Sequence, residues 1–172
     1  MTHSNNNSRG FSLIEVVVYV TLFSTLSLIT VSSLLQTIKA FNNFRISRDI
    51  NDSSVTVMER LTRDIKSATS VDIAKSIFGA TPGRLTLNTV NASGTATTVE
   101  YYVATSSLRI KENGVDQGSL MSSKSQVSGL VFYYINTGST VGIKTELHLS
   151  SSRGLVSDVD HFYNTSVLRG SY

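Results

Sequence analysis

Between Phe11 and Phe78 the chain contains neither glycine nor proline. No other feature narrows the possible folds as much, because a run this long without a helix breaker favours one long helix. From Phe11 to about Leu35 the run is apolar and hydroxylated, and its only charge is Glu15. A stretch of ~20 such residues spans a bilayer as a helix. Beyond it the pattern turns amphipathic: Ile46, Ile50, Val57, Met58, Leu61, Ile65 and Ala68 recur at spacings near three and four. Arg60, Arg63, Asp64 and Lys66 are assigned to the other faces, and Glu59 with Arg63 makes a favourable i,i+4 pair. Weak helix formers gather at Asn51, Asp52, Ser53 and Ser54, a place for a bend or break. A helix from Phe11 to about Ser67 would be roughly 85 Å long at ~1.5 Å per residue.

After Ser70 the pattern becomes strands and turns. Leu85–Val90, Leu108–Lys111 and Ile143–Leu149 alternate, the last with Lys144, Glu146 and His148 on one face. Thr98–Val103 and Leu130–Ile135 have strand composition, and Val167-Leu168 closes the domain. Asn113-Gly114 is a hairpin signal, and Pro82-Gly83, 91–94 and 137–142 mark turns. The fold class is therefore α+β, one long helix laid on an antiparallel sheet.

Composition removes several functions. With no cysteine there is neither a disulfide nor a thiolate metal site. The net charge of +3 is a weak excess, scattered apart from a loose group at Lys39, Arg45 and Arg48. A nucleic-acid partner is permitted by this charge but not indicated, since a dense basic face is missing.

Glu15 then decides among readings of the N-terminus. A cleaved secretory signal needs a shorter apolar core and a small-residue site after it. A plain anchor fits the length but leaves Glu15 unexplained, since a carboxylate in a membrane helix costs ~2.5–3.5 kcal/mol at the centre and less near an end. Gly10-Phe11-Ser12-Leu13-Ile14-Glu15, behind a short polar leader containing Arg9, resembles the class III leader and mature start of type IV prepilins and pseudopilins. The resemblance implies cleavage between Gly10 and Phe11 by a prepilin peptidase, N-methylation of Phe11, and an assembly role for Glu15 opposite the amine of a neighbouring subunit. Such a pair sets register more than it adds affinity, because both charges lose hydration together.

Farther along, Met58–Ala68 resembles the helix of J-type minor pseudopilins and related minor pilins, Val127–Tyr134 their core strand, and Ser166–Arg169 their terminus. Major pilins commonly carry proline where this chain has Ser32, which favours a minor subunit. The implied division is a removed leader at 1–10, a transmembrane helix at 11–35, its amphipathic continuation at 36–70 and a β-sheet domain at 71–172. The implied partners are other pilin or pseudopilin subunits, the prepilin peptidase, the inner-membrane assembly platform and the membrane itself. The implied location is the cytoplasmic membrane, single-pass with the N-terminus inside, with the globular domain periplasmic or extracellular in a filament.

Chemistry elsewhere is sparse. Asp158, Asp160 and His161 form the one acid and imidazole cluster, read as a solvated loop for want of a third spaced ligand. Asp49 and Asp52 read as a polar helix face, and His3 falls in the leader. Tyr101, Tyr102, Tyr133 and Tyr134 offer a stacking surface, with alternation turning one of each pair inward. Motifs for acyl transfer, nucleotide binding or zinc are absent. No cofactor, no metal and no catalytic residue are expected, and the chain is read as no enzyme. The expectation is a minor pilin or pseudopilin that initiates or caps a type IV pilus or type II secretion filament. The alternative is a filament-displayed module that contacts DNA, a surface or a secreted substrate.

Overall fold

A computed structural model describes residues 10, 12–91, 93–154 and 156–169. The chain forms two compact units, Met1–Phe41 and Asn42–Tyr172.

One helix, α1, runs over Leu13–Ser67. Ser12 precedes it as the N-cap, its carbonyl accepting the N–H of Val16 at 3.2 Å and of Glu15 at 3.0 Å. In the first unit its apolar side chains are exposed, Leu13, Phe23 and Leu28 by more than two-thirds. This stretch is long and apolar enough to cross a membrane. The helix stops where the chain is captured by a strand: the Thr69 N–H and hydroxyl both donate to the Asn88 carbonyl, at 2.8 and 2.9 Å.

In the second unit the helix packs on two antiparallel sheets. The first is ordered β1-β2-β3-β4-β5 and comprises Ser70–Val71, Leu85–Val90, Ala96–Ala104, Ser107–Glu112 and Val115–Ser119. The second is ordered β6-β7-β8 and comprises Ser125–Asn136, Val141–Arg153 and Val156–Val167. The expected single sheet is thus two, linked where the Val127 N–H donates to the Ser106 carbonyl at 2.7 Å. Ile46, Ile50, Val57, Leu61 and Ile65 are buried against Leu85, Leu87, Tyr101, Leu108, Phe132 and Leu147. Burying a side chain of this size contributes ~1.5–3 kcal/mol, so this stripe anchors the helix to both sheets. Asn113 and Gly114 take φ of 52° and 82°, the two left-handed residues that a tight β4–β5 hairpin requires.

Four expectations need correction. The helix is unbroken across 51–54. Ser53 and Ser54 are buried there, and small side chains let the helix approach the sheet, with the Ser53 hydroxyl 3.1 Å from that of Ser125. Arg60 and Asp64, on another face of the helix than the apolar stripe, are tied to the domain rather than left as free surface charges. Arg60 Nε donates to Asp64 Oδ2 at 2.9 Å and its Nη2 to Glu112 Oε1 at 3.0 Å. Glu59–Arg63 makes no ion pair among the described residues; the i,i+4 ion pairs of this stretch are Arg48–Asp52 and Arg60–Asp64. Asp49 is not idle surface either: its carboxylate meets Arg153 Nη2 at 2.7 Å. Lastly, Asp158, Asp160 and His161 stand on β8, not in a loop.

Candidate processing and assembly segment

The segment begins at Gly10, which is exposed and has open space where a side chain would sit. Phe11, assigned as the new N-terminal and methylated residue, lies outside the described residues, as does the leader at 1–9. Glu15 occupies the first turn of α1. There the unpaired N–H groups give the helix end a partial positive charge, so a carboxylate is better tolerated than deeper in the span. Its Oε1 accepts a hydrogen bond from the Tyr19 hydroxyl at 3.3 Å, one turn on. The sequence reading overlooked this partner, although the i,i+4 spacing that finds it was visible.

Most hydroxyl residues of the span are also accounted for. Thr21 donates to the carbonyls of Val17 and Val18, Ser24 to Val20, Thr25 to Leu22, Thr30 to Leu26, Ser32 to Ile29 and Thr37 to Ser33, all between 2.7 and 3.0 Å. These groups are thereby paired within the helix, as hydrocarbon demands. The surface of residues 13–35 is then mostly methyls and rings, interrupted by the Glu15–Tyr19 pair and by the hydroxyls of Ser27 and Ser33. An apolar surface of this extent marks a membrane or partner contact.

Within the second unit the other candidate residues are separated. Tyr101 is fully buried and its hydroxyl donates to Asp64 Oδ2 at 2.5 Å. Burial first, and the Asp64 carboxylate second, push its pKa far above the usual phenol value. It is a clasp between helix and sheet and cannot stack on a ligand. Arg60 is likewise held more firmly protonated by its hydrogen bond to Asp64. Tyr134 turns inward against Phe78, with ring centroids 5.6 Å apart, while Tyr133 faces out and Tyr102 is half-buried beneath the Lys111 ammonium. The outer face of β7 carries Lys144 and Glu146, paired at 2.7 Å, and that bond lowers the Glu146 pKa. His148 and His161 pair across β7 and β8 with ring centroids 4.0 Å apart. Asp158 caps the N–H of Val159 at 2.9 Å. No group of three or more metal-ligating side chains converges among the described residues.

Residues 5–31 match the family model described as the prokaryotic N-terminal methylation motif. No curated protein and no solved structure shows a significant match to the chain. The motif supports a type IV pilin-like class III leader followed by a membrane-anchoring helix. It implies processing by a prepilin peptidase and assembly into pilus-like filaments with other pilins.

Proposed function

We propose that the protein is a minor pilin or pseudopilin, a structural subunit and not an enzyme, that helps initiate or cap a type IV pilus or type II secretion filament. One observation carries the reading: the matched motif ends in a helix whose exposed apolar surface holds a single carboxylate, Glu15, in its first turn. The J-type resemblance of Met58–Ala68 and the serine at position 32 favour a minor over a major subunit. Cleavage falls between Gly10 and Phe11, which frees the Phe11 amine, and residues 11–35 anchor the product with its N-terminus on the cytoplasmic side. Tyr19 serves Glu15 while the subunit is alone in the bilayer, and the ammonium of Phe11, its own or a neighbour's, replaces it on assembly. The 71–172 portion is then displayed outside the membrane.

The test combines processing and incorporation. Mass spectrometry of membrane-derived protein should give a chain starting at methylated Phe11, and a Met1 start in cells with active peptidase refutes the assignment. Glu15→Gln and Glu15→Val should be cleaved and accumulate in the membrane as the parent does, yet co-purify with the other filament subunits at a tenth of its level or less. Undiminished incorporation of both would return Glu15 to the standing of an ordinary anchor residue.

A further inference from the structure

The two outer strands of the β6-β7-β8 sheet are finished differently. The edge of β6 is covered: Gly79 and Gly83 donate their N–H groups to the carbonyls of Phe132 and Leu130, at 2.8 and 2.7 Å. The edge of β8 has no such cover among the described residues. The Leu168 N–H donates to the Val141 carbonyl at 2.9 Å. In this antiparallel register, even-numbered residues of β8 therefore bond to β7 and odd-numbered ones turn N–H and C=O outward. Two outward N–H groups are occupied, Val159 by its neighbour Asp158 and Arg169 by the Lys66 carbonyl at 3.2 Å. Between them lie His161, Tyr163, Thr165 and Val167, with no strand alongside among the described residues and neither lysine nor proline to blunt the edge.

The helix extends beneath this vacant position. A groove of about 1180 Å³ runs beside Thr165, Ser166 and Val167, floored by Met58, Glu59, Thr62, Arg63 and Lys66 and flanked by Arg169. The bond from Asn164 Nδ2 to Thr62 Oγ1, 2.6 Å, and that from Arg169 to Lys66 tie its two ends. Arg63, Lys66 and Arg169 form no ion pair among the described residues, while Arg48, Arg60, Arg84, Arg109 and Arg153 all do. Three unpaired cations against one acid, Glu59, make the groove basic.

We propose that β8 receives an extended, acidic segment of a partner protein as a ninth strand. Main-chain bonds to Tyr163, Thr165 and Val167 would supply affinity. The inward side chains of the added strand, two residues apart, fall on the helix flank: an apolar one over Met58, then carboxylates over Arg63 and Lys66. Nucleic acid fits the charge but has no use for the open row of strand N–H and C=O groups.

The experiment uses the full chain in detergent micelles and a labelled peptide, Thr-Val-Thr-Glu-Thr-Glu-Thr-Val-Thr. Binding should saturate below about 1 mM by fluorescence anisotropy. It should slow amide exchange of Tyr163, Thr165 and Val167 at least tenfold. The peptide with Lys for Glu, and the Arg63→Glu/Lys66→Glu protein with the original peptide, should each bind at least tenfold more weakly. Thr165→Pro removes one outward N–H without touching the β7 ladder, so it should abolish binding at an unchanged melting temperature. Equal affinity for both peptides, parental binding by Thr165→Pro, or no saturation overturns the proposal. So does displacement of the peptide by an equimolar single-stranded oligonucleotide. Exchange protection of the same amides that rises with protein concentration alone would assign the edge to a second copy and also overturn it.

Discussion

The first and second parts of α1 solve one problem in opposite ways. Both carry serine and threonine among apolar residues. In the first unit most of those hydroxyls bond back to their own helix, as Thr30 does to Leu26 and Thr21 to Val17, so the outer surface is left largely apolar. In the second unit Ser54, Thr56 and Ser67 still do so, but other polar groups reach across: Ser53 to Ser125, Asp49 to Arg153, Asp64 to Tyr101, Thr62 to Asn164. A helix whose neighbour is hydrocarbon must satisfy itself, whereas a helix packed on a sheet can use its polar groups to fix which sheet and in what register.

Equal truncations sharpen this contrast most. Ile50→Ala removes a fully buried side chain and should destabilise the second unit by ~2–5 kcal/mol in denaturant unfolding. Ile29→Ala, at an exposed position of the span, should leave that transition within ~0.5 kcal/mol of the parent. Equal losses would mean that the units do not fold as described.

Next in size is Tyr101→Phe, which leaves the packing but strips Asp64 of one partner. A loss of ~1–3 kcal/mol is expected, since Asp64 stays largely buried. An unchanged midpoint would show that Arg60 alone satisfies the carboxylate. Ser53→Ala should cost ~0.5–1.5 kcal/mol through the lost Ser125 contact. Thr30→Val, by comparison, should change the second unit's unfolding by less than ~0.5 kcal/mol.

The smallest effect concerns pH. Asp116 accepts bonds from Arg109 first and the Gly118 N–H second, which lower its pKa from 3.8 to about 2. A depressed carboxylate stabilises the fold above its unfolded pKa, and that contribution fades as pH falls through the folded value. The melting temperature of the parent should therefore approach that of Asp116→Asn between about pH 4 and pH 2. A constant gap across that range would place the Asp116 contribution outside its charge. The pair is exposed, so the gap is small from the start.

Much of this architecture was legible in residue spacing. The helix, the strand at Leu85–Val90 and the Asn113-Gly114 turn follow from local rules, because local geometry decides them. β8 escaped because its inward residues include Asp160, Asn164 and Ser166, which look like loop. They face in because the helix offers them partners such as Thr62, and such pairing across a hundred residues leaves no periodic trace. The partners of Asp49, Arg60 and Asp64 escaped for the same reason: periodicity sorts polar residues off the apolar stripe but cannot say which of them a sheet residue will meet. At the N-terminus the sequence singled out Glu15 but not Tyr19, whose role shows only once the two are seen on one helical face.

The cross-links from α1 to the sheets have a mechanical side. Asp49, Ser53, Arg60, Thr62 and Asp64 are bonded to five different strands, β7, β6, β4, β8 and β3 in turn. Apolar ridges alone would let the helix slip by a turn and find similar grooves. With these bonds, a pull along its axis loads all of them in shear at once, and a twist meets the same resistance. None can be transferred to a neighbouring side chain without breaking the others. Under tension the second part of the helix therefore behaves as a keyed shaft, yielding abruptly rather than creeping.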